Sequence, residues 1–142
     1  MNWRLNRTRG EETGHEASDA EYHVLGGGPV GASVARRLRT EGYAVSVVDE
    51  SHDGSTLPGL RGDPTDVETL REAGLADAST AVVASRCDGR NLLIAQLART
   101  RFEVPEVVVL ANVPNRYDAL AAAGHEVVCA TNVLSGALAE RV

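Results

Sequence analysis

Short, continuous apolar runs alternate along this chain with stretches whose apolar positions recur every three or four residues. The runs are His23-Val24-Leu25, Ala44-Val45-Ser46-Val47-Val48, Thr80-Ala81-Val82-Val83-Ala84, Val107-Val108-Val109-Leu110 and Glu126-Val127-Val128-Cys129, while Leu60 and Arg61 lead to a further strand end at Asp63. Unbroken apolarity is what a strand covered on both faces requires, so these read as buried strands. Between the first two, Val30, Val34 and Leu38 stand at i, i+4 and i+8, with Arg36, Arg37 and Arg39 mostly between them. That stripe predicts a helix lying on a sheet. Pro29 opens it and Gly42 ends it. A second helix carries Val67, Leu70 and Ala73, stops at Gly74 and takes Asp63 as its N-cap. A third covers 89–100, a fourth runs from Pro114 to Gly124, and Thr131 or Asn132 caps a last one. The stretch SHDGSTLPG after Asp49-Glu50 is too rich in turn residues for a helix, so that crossover is very short. Strand and helix alternating six times predict an α/β fold with a six-stranded parallel sheet, doubly wound, in three layers.

The segment GRNLLIAQLART is apolar on more than one face. A helix covering a sheet needs one such face, so the surplus predicts contact between subunits, as a homodimer or higher homo-oligomer.

Three glycines follow the first strand. Gly26, Gly28 and Gly31 fit G-x-G-x-x-G, with a strand before them and a helix after. A phosphate beyond that strand meets free backbone N–H groups and the positive end of the helix dipole, and glycine lets it come close. Asp49 lies 18 residues past Gly31 at the end of the second strand, near the separation at which a carboxylate takes ribose hydroxyls. The fold is therefore Rossmann-like, with a nucleotide at the carboxyl ends of its strands. Asp63 either satisfies first-turn N–H groups or lines the adenine side of that cleft.

Composition narrows the classes. The 142 residues include 14 basic ones, all Arg, against 20 acidic ones, for a net charge of −6. One domain is expected, and neither nucleic acid nor an anionic membrane surface attracts so acidic a chain. An acidic, Lys-free, Ala/Val-rich chain suggests a high-salt, halophile cytoplasm. Cys87 and Cys129 have no metal-type spacing and read as small buried apolar side chains. No apolar stretch approaches the about 20 residues that span a bilayer, so direct membrane insertion is not expected and a cytoplasmic location is. Residues 1–20, with Trp3, are polar and aperiodic and read as a mobile tail; 21–142 form the domain.

The glycine turn GGGPVG, the strand end VVDES, the segment LRGDPTDVETLREAGLADASTAVVAS and the helix start DGRNLLIAQLAR together resemble the N-terminal nucleotide-binding domain of RCK proteins, also called KTN or TrkA-N. The similarity runs from about residue 22 to 142. It implies a domain that binds NAD or NADH, or alternatively ATP, ADP or AMP, and regulates a potassium channel or transporter. Such domains work as dimers or rings attached to a membrane cation transporter, which puts this one in the cytoplasm, peripheral to the membrane. Carried over by position, the resemblance implies phosphates over Gly26, Gly28, Pro29, Val30 and Gly31, and ribose hydroxyls on Asp49 with Glu50 beside it. Gly62 and Asp63 flank the adenine, while Ala84 and Ser85 border the phosphate or second ribose. Pro29-Val30 stands where many members carry a basic residue, and Leu110-Ala111-Asn112 where many carry an arginine, which leaves the choice between NAD and adenine nucleotides open. Two other readings stand beside the regulatory one: a nucleotide-binding module with a different partner, and an NAD-dependent oxidoreductase. The absence of Lys removes a Tyr-Lys proton relay, no other acid/base pair stands out, and His52 and His125 read as surface histidines, so the expectation is no enzyme.

Overall fold

The computed structural model describes residues 21–142; the tail reading for residues 1–20 and Trp3 lies outside them. The elements are β1 (Tyr22–Leu25), α1 (Gly28–Thr40), β2 (Val45–Asp49), β3 (Gly59–Arg61), α2 (Val67–Glu72), β4 (Thr80–Val83), α3 (Asp88–Gln96), β5 (Glu106–Ala111), α4 (Tyr117–Ala122), β6 (Glu126–Cys129) and α5 (Ala130–Ala139). The strands form one sheet in the order β3-β2-β1-β4-β5-β6, every pairing parallel. This is the doubly wound, Rossmann-like sheet that the apolar runs predict.

The order decides which helix covers which face. The chain steps one way across the sheet from β1 to β3, then the other way from β3 through β4 to β6. Right-handed crossovers therefore put α1 on one face and α2, α3 and α4 on the opposite one. The core divides accordingly. Val24, Val45 and Val47 meet Ala35 of α1, with Val34 and Leu38 packed at the margin. On the other side Leu25, Val83, Val107 and Val109 meet Leu70 of α2, Ile94 of α3, Ala98 just past its end and Leu120 of α4.

Several expectations shift. No helix fills the β2–β3 crossover, as its composition indicates. The N-cap of α2 is Asp66, not Asp63: the Asp63 carboxylate instead accepts from the Thr65 amide at 2.9 Å and the Thr65 hydroxyl at 2.8 Å, a local turn that keeps residues 63–66 out of the helix. The last helix starts at Ala130 with Cys129 before it, so neither Thr131 nor Asn132 caps it. Pro114 opens a 3-10 turn that leads into α4. The apolar surplus on α3 is mostly consumed inside: Ile94, Ala95 and Ala98 are buried, Leu92 and Leu97 pack against the core, and Leu93 alone is exposed. The helix continues past Gln96 as a π-helical turn, Leu97–Arg101, and Ala98, four residues after Ile94, shares its buried face. Of the cysteines, Cys129 is buried and Cys87 exposed. His125 is buried, not a surface residue.

Candidate functional site

The sheet order changes direction between β1 and β4, and that switch point is where an open α/β sheet offers a crevice. The cleft there holds about 400 Å³ and is lined by Gly26, Gly27, Gly28 and Pro29 from the β1–α1 turn, Asp49 and Glu50 from β2, Pro64 after β3, and Ser85, Arg86, Cys87 and Arg90 from β4 and α3. Its size is that of a small-molecule site.

Local structure builds the turn. The Gly26 amide still donates to Val48 O at 2.8 Å, so the chain leaves the sheet one residue later. Gly31 packs directly beneath it: a Cβ on Gly31 would stand 2.2 Å from Gly26 O. Only glycine lets α1 start this close to β1. Gly28 lies at φ +50° with nothing within 4 Å of where its Cβ would be, so its backbone faces the open cleft.

Asp49 closes the arrangement. Its Oδ2 accepts from the Gly28 amide at 2.9 Å, and Oδ1 accepts from the Ser51 amide at 2.8 Å and the Ser51 hydroxyl at 2.7 Å. The carboxylate thus joins the end of β2 to the N-terminus of α1. Burial pushes its carboxyl up, but the Ser51 and Gly28 donors and nearby His52 outweigh that and hold it below the ordinary value. An ionised carboxylate offers about four acceptor positions, so capacity remains for a ligand hydroxyl. On its far side a second hollow of about 270 Å³ lies among Arg36, Ser51, His52 and Thr56.

Arg90 spans the side of the cleft next to Glu50 and Asp63. Its Nη2 donates to Glu50 Oε1 at 3.1 Å and to Asp63 Oδ1 at 3.0 Å, tying the ends of β2 and β3 to α3. The Thr65 donors and Arg90 together hold the Asp63 carboxyl below its ordinary value. Beneath Arg90, Asn91 is fully buried and fully paired. Its Oδ1 accepts from the Ser85 amide and hydroxyl, and its Nδ2 donates to Ser85 O and Leu110 O. Asp88 accepts from the Asn112 amide and side chain and from the Val113 amide. The first turn of α3 therefore fixes the loops after both β4 and β5.

Of the residues singled out from the sequence, Gly26, Gly28, Pro29, Asp49, Glu50 and Ser85 converge on the cleft. Gly31 supports it from below, and Asp63 reaches it through Arg90. Gly62 does not line it: its neighbour is Thr69 of α2. Val30 and Ala84 face away, into a groove on the α1 side of the sheet. The end of the fourth strand, Ser85-Arg86-Cys87-Asp88, is expected from the sequence to face this crevice, and Ser85, Arg86 and Cys87 line it; sequence reasoning missed Gly27, Pro64 and Arg90 as lining residues and Asn91 as a support. The D-x-x-N spacing in DGRN was the available signal for Asp88 and Asn91. No corresponding pattern marks Arg90.

A family model described as the TrkA-N domain matches residues 22–131. The chain belongs to the TrkA-N family. It is 34% identical over 100 residues to the Trk system potassium uptake protein TrkA of Streptomyces coelicolor, which takes in 66% of this chain and 45% of that one. This TrkA-N chain thus spans less than half the length of that relative. Among solved structures, GsuK bound to ADP superposes with a TM-score of 0.75 at 27% identity, covering 95% of this chain and 36% of that one. The GsuK channel bound to NAD gives the same TM-score and identity over 84% of this chain and 22% of that one.

Proposed function

We propose that this TrkA-N domain is a regulatory module that binds NAD(H) or an adenine nucleotide and passes its occupancy to a potassium channel or transporter. The cleft at the β1/β4 switch point carries the reading, because it sets open glycine backbone opposite a low-pKa carboxylate. GsuK structures with NAD and with ADP support the ligand class, and the potassium uptake name of the Streptomyces relative supports the partner.

The residues present fit such a ligand. The turn from Gly26 to Pro29 would seat the phosphates at the N-terminus of α1, where the glycines leave room for them, Asp49 and Glu50 would take the ribose hydroxyls, and Pro64, Ser85 and Arg90 would form the far wall. When bound, the nucleotide supplies charge and hydrogen-bonding groups that bridge the β1–α1 turn, β2 and α3. That role needs no bond making, so the reading is regulatory and not enzymatic. Its compartment is the cytoplasm, beside the membrane that holds the transporter. Among the described residues no helix is long and apolar enough to cross it.

Titration calorimetry against NAD, NADH, ATP, ADP and AMP tests the reading. Preferential binding of one or two of them is expected, and heat from none of them overturns it. Asp49→Ala is expected to weaken the preferred ligand by about 1.5–3 kcal/mol, the scale of a hydrogen bond to a charged group, with its melting midpoint as the folding control. An unchanged dissociation constant removes Asp49 from the site.

A further inference from the structure

The charged side chains that line the cleft are not equally committed. Asp49 is tied to the Gly28 amide and to Ser51, and Arg90 holds Glu50 and Asp63 through its Nη2. Arg86 differs from both. It lines the same cleft from the loop after β4 and is exposed, and among the described residues it has neither a hydrogen bond nor an ion pair.

An anionic ligand needs such a group here. Around the cleft Asp49, Glu50 and Asp63 stand against Arg86 and Arg90, and the whole chain carries a net charge of −6. A phosphate therefore approaches against a repulsive field. The turn from Gly26 to Pro29 brings no cationic side chain to meet it, and the charge of Arg90 is already shared between two carboxylates. Arg86 is the lining cation left for it. The backbone beside Arg86 acts in the same sense. Helix α3 starts at Asp88, its N-cap Cys87 makes no side-chain capping bond, and the Asp88 carboxylate is spent on the Asn112 and Val113 amides. Since Cys87 and Arg90 both line the cleft, the positive end of this nine-residue helix borders it and adds to the guanidinium.

We infer that Arg86 is a specificity-determining residue of the cleft: its guanidinium pairs with the terminal phosphate of the ligand and so selects an adenine mononucleotide such as ADP over a dinucleotide. The chemistry of the ligands sets the direction. A terminal phosphate is nearly doubly charged at neutral pH and presents free oxygens on every side but one, an arrangement that the planar guanidinium fork grips bidentately. Each phosphate of NAD is bonded on both sides, carries a single charge and offers fewer free oxygens. This inference rests on the reading of the cleft as a nucleotide site and chooses within it.

Titration calorimetry of the full chain with ADP and with NAD tests it. The wild type is expected to bind ADP more tightly. Arg86→Gln should weaken ADP by about ten- to a hundredfold, the worth of a hydrogen bond to a charged group, and NAD by clearly less, with the melting midpoint in place because the side chain is exposed. Arg86→Lys keeps the charge and loses the fork, so its ADP affinity should fall between the two. A wild type that prefers NAD overturns the inference. So does an Arg86→Gln variant that holds ADP as before or loses both ligands equally, and the regulatory reading survives each of these results. Heat from neither ADP nor NAD overturns the inference as well, while the regulatory reading falls only if NADH, ATP and AMP also fail to bind.

Discussion

His125 sits at the start of β6 with both ring nitrogens unpartnered and the residue buried. Burial, and then the positive charge of Arg99, hold its pKa below the ordinary 6.5. Below 6.5 the unfolded chain therefore takes up protons that the folded one resists. The stability this supplies is complete above 6.5 and lost as pH falls from there through the folded value. Urea midpoints taken from about pH 7.5 to about pH 5, the range in which histidine titrates, should fall for the wild type. His125→Phe should flatten that slope, and parallel slopes would place the sensitivity elsewhere. Asp49 acts in the same direction over a separate, more acidic window. Its folded pKa lies below the ordinary 3.8, so its support is present above that value and fails only as pH drops through the folded pKa.

Helix α3 shows how one element can position two others. Asn91 uses both ends of its amide on Ser85 and on Leu110 O, so a leucine of similar size takes these partners from the Ser85 amide and from Leu110 O, while Ser85 O keeps the Asn112 side chain. Asn91→Leu is expected to cost on the order of 2–4 kcal/mol, read as a lower denaturant midpoint at unchanged slope. A loss under 1 kcal/mol, roughly one ordinary hydrogen bond, would mean that water replaces the amide. Elements of this kind were only partly legible beforehand. The strands were readable because burial on both faces leaves an unbroken apolar run, and the glycine turn because close approach of α1 to β1 admits no side chain. The start of α2 was not, since Asp63 and Asp66 flank Pro64-Thr65 and local preference cannot say which one turns the chain and which one caps. Arg90 was invisible for another reason: its partners Glu50 and Asp63 are 40 and 27 residues away, and only the assembled sheet brings them within reach. The surplus on α3 shrinks because the assembled core takes in Ile94, Ala95 and Ala98 and packs Leu92 and Leu97 at its margin, contacts that a count of apolar faces does not show.

At the scale of the molecule, the cleft and the bare sheet face share their walls. Pro29 lines the cleft and Val30 the groove; Ser85 lines the cleft and Ala84 the groove. A partition one residue thick carries pressure from one side to the other, given the density of a protein interior. A change on the groove side should therefore be felt as a change of affinity in the cleft. Val30→Ala, which touches only the groove wall, is expected to shift the midpoint of the nucleotide titration while leaving the melting midpoint in place. An unchanged titration would mean that the partition is rigid. Otherwise the bare face of the sheet is a second handle on the site behind it.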